Sequence, residues 1–429
     1  MNSHCSNQDR FLNLVFIAKH HFNEPLIKDS IYLLISNILN MGFGFIFWII
    51  AARFYSIKDI GLAASLISVL GLVILFSRFG FDVSVIRFFK YQDIAKIINT
   101  SLIITSLAST IVAIGLVFFA LNHVGALNYL KNPLTAVLFI LTCLFNSFAF
   151  LTGNFFNAAR RGNHFLVQNL FLSSRIFLLI PLAIFGYIGI FGSIGIAYFL
   201  ASVFSLYITR NYISIKNLKI DSNFLRDSLN FSFWNYISNI LFSAPVFILP
   251  LLVMNMLGEI EAAKFYIAFA IANIVMVIPT TISTSLLVDG SHQQGEKFEK
   301  NILKTAICTF AILIPPVLIL IFHGDLVLEA INSDYMGAFD LLKIFSISSF
   351  FVAVYSVFIP LQNVRMKVEN IACINLLRFS LLILLSYIFV LKYGISGVGY
   401  AWLICYAILD IILVILNIND VRTFIAKKC

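Results

Sequence analysis

The sequence predicts an all-α polytopic membrane protein of about twelve transmembrane helices, set in two parallel-repeat six-helix lobes around a central cavity. Three observations carry this reading: the composition, a one-sided distribution of basic residues, and an internal repeat with an offset near 202 residues. Of 429 residues, 60% are hydrophobic and only 11% charged, against about 45–50% and about 25% in soluble domains. A soluble protein this apolar has too little polar surface to stay dispersed. The 45 phenylalanines suit lipid-facing walls and wide cavities.

A span needs about 20 mostly apolar residues to cross the hydrocarbon core. Twelve such runs are present: 30–52, 60–77, 99–121, 134–156, 165–187, 192–209, 229–256, 264–288, 304–323, 337–362, 369–391 and 396–416. The second and sixth are short, and a Gly-rich turn from Gly186 to Gly192 separates the fifth from the sixth. Residues 11–17 are too short an apolar core for a cleavable signal, and no small-x-small site follows. They are expected to lie on the membrane as an interfacial helix, and His20-His21 to form part of a solvated face.

The net charge of +9 is explained by orientation. With the N-terminus in the cytoplasm, 21 of the 29 Lys and Arg fall on the cytoplasmic side, five on the other side and three inside spans. That asymmetry is what the positive-inside rule requires, and a missed or invented span would scramble it. Both termini are thus placed in the cytoplasm. No soluble basic segment interleaved with aromatics exists to hold nucleic acid.

The repeat divides the chain. Ile35-Ser36-Asn37-Ile38-Leu39 recurs as Ile237-Ser238-Asn239-Ile240-Leu241, and at the same offset of 202 Asp59 falls on Glu261. Arg175 falls on Arg378 at 203, and Ile194-Gly195-Ile196-Ala197 on Val398-Gly399-Tyr400-Ala401 at 204. Six spans is an even number, so both halves enter the membrane from the same side, related by an axis along its normal. The expected organisation is a cytoplasmic segment 1–29, an N-lobe 30–209, a cytoplasmic linker 210–228, a C-lobe 229–416 and a cytoplasmic tail 417–429.

Ionisable groups inside a membrane cost about 2.5–3.5 kcal/mol each and mark cavities or partners. Arg175 and Arg378 are the deepest, at corresponding positions of the two halves. A pseudo-two-fold axis allows them to converge on one lumen, where with Lys343 they would bind an anionic group. The competing reading pairs each arginine with a carbonyl or an acid, locking helices together. The guanidinium fork suits phosphate and carboxylate. Asp410, deep in the last span, and Asp340, three residues before Lys343, are the candidates for carrying a coupling ion; the alternatives are a structural partner of an arginine and an Asp340–Lys343 ion pair. Glu369 is the third acid in or near a span.

Helix breakers fall in register. Gly42 and Gly44 of the first span correspond to residues bracketing Pro245 in the seventh, which suggests bending helices beside a transport site. Asn37, Asn239 and Asn235 add polar groups there, as interhelical hydrogen bonds or as substrate contacts. Cys143, Cys308, Cys373 and Cys405 sit in apolar runs and, with Cys5 and Cys429, form no CxxC pair, so neither a disulfide framework nor a metal site is expected. No Walker A, GxSxG or metal cluster is present, and the longest external loop, near 324–336, is too short for a membrane glycosyltransferase or ligase site. The chain reads as a carrier, not an enzyme, with no cofactor.

The stretch from Leu34 through Phe47-Trp48-Ile49-Ile50-Ala51-Ala52-Arg53-Phe54-Tyr55-Ser56, with Asp59-Ile60-Gly61, Ser77-Arg78-Phe79-Gly80-Phe81-Asp82 and Ile86-Arg87-Phe88-Phe89, resembles the start of the Wzx-type polysaccharide-biosynthesis flippases. These belong to the multidrug/oligosaccharidyl-lipid/polysaccharide exporter superfamily. The resemblance implies a bacterial inner-membrane protein that moves a polyprenyl-diphosphate-linked oligosaccharide, such as an O-antigen repeat unit of lipopolysaccharide, to the outer leaflet. It implies alternating access of two rocking lobes, driven by a proton or sodium ion, and partnership with polysaccharide polymerase or assembly proteins. Twelve spans lean away from the related lipid II flippases, which often have fourteen. Two alternatives remain: a multidrug or cation exporter, which would prefer an acidic cavity, and a non-transporting assembly protein for glycan synthesis.

Overall fold

The computed structural model describes residues 25–122, 127–210, 212, 220–292, 296–364 and 368–416. The expected interfacial helix at 11–17, the His20-His21 pair and the tail 417–429 lie outside the described residues, as does most of the linker. The helices are α1 (Pro25–Phe54), α2 (Ile57–Ser77), α3 (Phe81–Phe88), α4 (Ile94–Asn122), α5 (Pro133–Ala158), α6 (Gly162–Ser173), α7 (Arg175–Leu179), α8 (Tyr187–Thr209), α9 (Ser222–Leu257), α10 (Glu259–His292), α11 (Glu296–Ile331), α12 (Phe339–Val364), α13 (Val368–Tyr393) and α14 (Ser396–Leu416). Among the described residues, eleven helices are long and apolar enough to cross a membrane, and the chain is a multi-pass membrane protein.

The twelfth crossing is the expected fifth span, and it is not one continuous helix. It breaks at Ser174 into α6 and α7 and ends in a 3-10 turn at Ala183–Phe185. The Ser173 and Ser174 hydroxyls donate to the Asn169 and Phe171 carbonyls, competing with the helix ladder. Pro181 then removes a donor from the next turn. The segment still crosses. The Gly162 amide donates to Asp29 at one end, and the Tyr187 amide to Asp59 at the other. The turn before α8 is made by Gly186 alone, at φ +56°; Gly189 and Gly192, expected in the turn, are inside α8.

Local sequence sets the other boundaries. Ser56 is the N-cap of α2, its Oγ accepting the Asp59 amide at 3.2 Å. α9 begins at Ser222, before the expected residue 229, because Asp221 accepts the Phe224 amide at 2.9 Å. The expected ninth span ends at 323, where His323 leaves helical geometry (φ −131°); the helix resumes to Ile331, so residues 324–331 are not the loop that the sequence suggested.

Each half repeats the same packing. The first span lies on the fifth (α1 on α6 and α7; α9 on α13), the third on the fourth (α4 on α5; α11 on α12), and the fourth on the sixth (α5 on α8; α12 on α14). The result is two lobes. The seam between them is α2, which packs on α9 and α10 as well as on its own lobe. Small residues permit this: a Cβ on Gly61 would stand 2.0 Å from the Glu259 carbonyl oxygen, and one on Gly71 2.3 Å from the Phe247 ring. Ser65, Ser68 and Ser77 lie buried in α2 because each hydroxyl donates to a carbonyl one turn back.

The lobes touch at both ends. At the end bearing the linker, Tyr236 Oη donates to the Phe76 carbonyl at 2.6 Å, and the Ser84 and Ser232 hydroxyls share a hydrogen bond. At the far end, Arg53 Nη2 donates to the Ala330 carbonyl at 2.8 Å and Asn332 Nδ2 to the Ala52 carbonyl at 3.3 Å.

Candidate functional site

Between the lobes, near mid-span, lies a cavity of about 250 Å³ walled by α1, α2, α9 and α10. Trp48 of α1 and Tyr266 of α10 form part of its wall, their ring centroids 4.5 Å apart. Asn40 and Asn273, also in the wall, are exposed, and so is Asn37 one turn nearer the linker end. The Arg53 and Asn332 bonds close the lobes together at the far end, as the Tyr236, Ser84 and Ser232 contacts do at the linker end. No carboxylate is among the lining residues.

Arg175 stands at the edge of this cavity. It is half-buried, and its Nη2 is 3.5 Å from where a Cβ on Gly44 would be. The guanidinium lies over the Phe47 ring at 5.3 Å, and its Nε is buried without a hydrogen-bond partner. Tyr198 and Tyr266 are within electrostatic range. Gly44 therefore gives the guanidinium room, while Gly42 faces open space. Both sit in an uninterrupted α1, so the bend expected there is not what these glycines supply.

Arg378 is placed differently. It is 2% exposed and lies inside the C-lobe. Its Nε donates to Tyr406 Oη at 2.9 Å and its Nη1 to the Phe242 carbonyl at 2.7 Å, and it stacks over Phe242 at 4.5 Å. Phe242 is three residues before Pro245 in α9, and the arginine adds a donor to its carbonyl there. Beside it, Tyr355 Oη donates to Asn375 Oδ1 at 2.7 Å, and Asn375 Nδ2 donates to Ser238 Oγ at 2.9 Å. The two arginines do not share a lumen: each sits against the first helix of its own lobe.

Lys343 is in the first two turns of α12, 4.0 Å from Asp340 and over the Phe339 ring at 3.7 Å. The intrahelical ion pair is therefore made, and neither residue lines the cavity. Asp410 is 7% exposed, with both carboxyl oxygens buried and unpartnered. Asn239 accepts from Ser243 within its own helix, at 3.0 Å, rather than bonding between helices, and Asn235 is exposed. The Glu369 side chain lies outside the described residues.

Sequence reasoning missed Arg78, Trp48 and Tyr266. Arg78 counts in the sequence as a loop charge at the end of α2, yet its guanidinium lies 3.6 Å over the Phe150 ring with Nε buried and unpartnered. Tyr198 is within electrostatic range of both Arg78 and Arg175. The only sequence signal for Arg78 is its place in Ser77-Arg78-Phe79-Gly80, directly after an apolar run. Trp48 and Tyr266 are hidden by their own hydropathy.

Two lobes with a cavity between them, and the Arg175 guanidinium at its edge, make up this multi-pass membrane protein. The family model for "Polysaccharide biosynthesis protein" matches residues 26–288, and the chain belongs to that family. It is 25% identical over 203 residues to a Shigella flexneri protein named "Putative O-antigen transporter"; the match covers 46% of this chain and 48% of that one. The chain thus spans about half the length of the curated relative it matches. Among solved structures, it is similar to an inward-facing multidrug resistance MATE family transporter of the MOP superfamily (TM-score 0.74, 16% identity, covering 95% of this chain and 100% of that one). It is also similar to the lipid II flippase MurJ in an inward closed conformation (TM-score 0.70, 15% identity, 91% and 87%). The family is thus that of polysaccharide-biosynthesis proteins, and the fold is MATE/MurJ-like.

Proposed function

We propose that the chain is a flippase that moves a polyprenyl-diphosphate-linked oligosaccharide, such as an O-antigen repeat unit, across the bacterial cytoplasmic membrane by ion-coupled alternating access. The observation that carries this is Arg175: a guanidinium without a hydrogen-bond partner on its Nε, at the edge of a cavity whose lining holds no carboxylate. An uncompensated cation at this depth costs several kcal/mol, and an anionic ligand offsets that cost. Phosphate oxygens suit its donor fork. The Asn40 and Asn273 amides at the same wall offer donors and acceptors for sugar hydroxyls. The lipid tail stays in the bilayer.

Orientation follows from charge. The linker end carries the basic excess, which puts it and both termini in the cytoplasm. The cavity then takes its cargo from the cytoplasmic side, where the lipid-linked unit is built. A cation exporter is the weaker reading, since no acid lines the cavity.

The test is deletion of the gene, staining of surface glycan and extraction of lipid-linked sugars. Loss of surface polymer with its repeat unit accumulating on the carrier lipid is the expected result. Arg175→Ala then fails to restore polymer at normal membrane levels. Unchanged glycan with new sensitivity to cationic drugs overturns the proposal in favour of the exporter.

A further inference from the structure

The N-lobe has a cavity of its own. It is a trough of about 350 Å³ between the first halves of α5 and α8, walled on its third side by Leu182 and Phe185 of the turn that ends the fifth span. It shares no residue with the inter-lobe cavity, and α5 and α8 pack within the N-lobe. Leu134, Leu138, Leu141 and Phe145 follow one another along one face of α5 and form the long wall. Thr142 is the one polar side chain in the lining, and its hydroxyl already donates to the Leu138 carbonyl at 2.7 Å.

The lining therefore offers no side-chain partner to water, a sugar or a phosphate, and an apolar cavity of this kind stays dry. Both helices are long and apolar enough to cross the membrane, and Leu134, Leu141 and Phe199 are exposed along the rim, so bilayer hydrocarbon reaches the trough. Its dimensions select the occupant. From Leu134 to Phe145 the helix rises roughly 16 Å, about half of a ~30 Å hydrocarbon core. At mid-membrane the trough ends at Phe145 and Phe199, whose rings meet edge to face with centroids 5.0 Å apart. At the far end it begins with α5 itself, and Lys131 is exposed three residues before Leu134. The first amides of α5 add positive potential there. A bore one leaflet deep, apolar throughout and cationic at its mouth, matches a phospholipid with its chain below and its phosphate above.

We propose that the trough binds one acyl chain of a phospholipid from the far-end leaflet, with the headgroup phosphate at Lys131. In the orientation proposed above that leaflet is the outer one; the site does not depend on the identity of the cargo. The chain stands between α5 and the turn at Leu182 and Phe185. It thereby props the end of the fifth span, the same broken span that carries Arg175. A polyprenyl chain fits poorly, because it is longer than one leaflet is deep and the trough ends at two aromatic rings. A Cβ on Gly192 would meet nothing within 4 Å, so a large side chain at that position fills the trough and leaves the helices where they are.

The test uses the full chain in nanodiscs with phosphatidylglycerol carrying a diazirine on one acyl chain, and maps the photolabel by peptide mass spectrometry. With the diazirine at the chain end, label is expected at Phe145 and Phe199; with it beside the glycerol, at Leu134. Both should exceed, several-fold, the label on the exposed α11 residues Ile319 and Phe322. Gly192→Phe should abolish the trough label, and Leu141→Trp at the rim blocks the trough by a second route if the phenylalanine variant folds poorly. Lys131→Ala should lower the label about fivefold, the worth of one lysine beside an anionic headgroup. Label that persists in both blocking variants, or is no stronger in the trough than on α11, marks annular lipid only and overturns the inference. Displacement by polyprenyl phosphate, with none by excess unlabelled phosphatidylglycerol, also overturns it and assigns the trough to the cargo's own chain. No readout needs cargo movement, so failure of glycan flipping leaves the lipid site standing.

Discussion

Replacing Gly61 by alanine sets a methyl group against the seam of the two lobes at the far end. Its carbon would stand 2.0 Å from the Glu259 carbonyl oxygen and 2.8 Å from the carbonyl carbon. Ordinary contact begins near 3.4 Å, so the backbones must part by roughly 1.4 Å, since a carbonyl at the start of α10 has no rotamer with which to yield. Overpacking of this kind costs about 1–3 kcal/mol. The cost falls only on conformations in which α2 meets α10 at the far end. An equilibrium between sealed and open far ends should therefore shift about 5–150-fold toward open. Pulsed-EPR distances between spin labels at Lys58→Cys and Met336→Cys, exposed residues of opposite lobes, read this directly in a chain with its native cysteines replaced. The Gly61→Ala chain should show a new, longer-distance population. A distribution superimposable on that of the parent, with full export of polymer, would refute the reasoning.

Two further outcomes follow from the C-lobe and the linker end. Arg378→Ala removes a donor from the Phe242 carbonyl and empties a fully packed site, and should cost about 2–5 kcal/mol; Tyr406→Phe, losing one charge-assisted bond, should cost about 1.5–3 kcal/mol. Both are read as thermal unfolding in detergent, and equal melting of Arg378→Ala and parent would contradict the packing described. Asp221 caps α9 outside the membrane, and the Phe224 amide above all, then Lys96 at 3.4 Å, holds its carboxyl below the usual carboxylate range. A depressed carboxylate stabilises the fold above its unfolded value and loses that contribution as pH falls through the lowered folded value. Asp221→Asn should therefore flatten the acid limb of the stability–pH curve while keeping the helix start; an unchanged acid limb counts against the cap.

The legible part of the fold is the part written locally. Hydropathy is a property of each twenty-residue window, so the spans stand out whatever surrounds them. The fifth span shows the limit: Ser173-Ser174 and Pro181 were visible, but the break appears only once the hydroxyls choose carbonyls over continued helix. The Asp340–Lys343 pair was legible because three residues on a helix are always neighbours.

What the sequence determined by itself was the class: a membrane chain of two repeated six-span halves with two symmetric arginines at depth. Charge, period and offset add up along the chain without reference to contacts. Which arginine is free was decided by the tertiary structure. Arg378 finds its acceptors on Phe242, 136 residues away, and on Tyr406. At an offset of 204 the N-lobe has Ser202 in place of Tyr406, and that short hydroxyl is already bonded to the Phe145 carbonyl at 2.8 Å. Arg175 is left with the face of Phe47 and an unpartnered Nε. The two halves are alike in pattern but not in the polar groups that packing brings to each guanidinium, because burial fixes a charge's role only through the partners that distant segments supply.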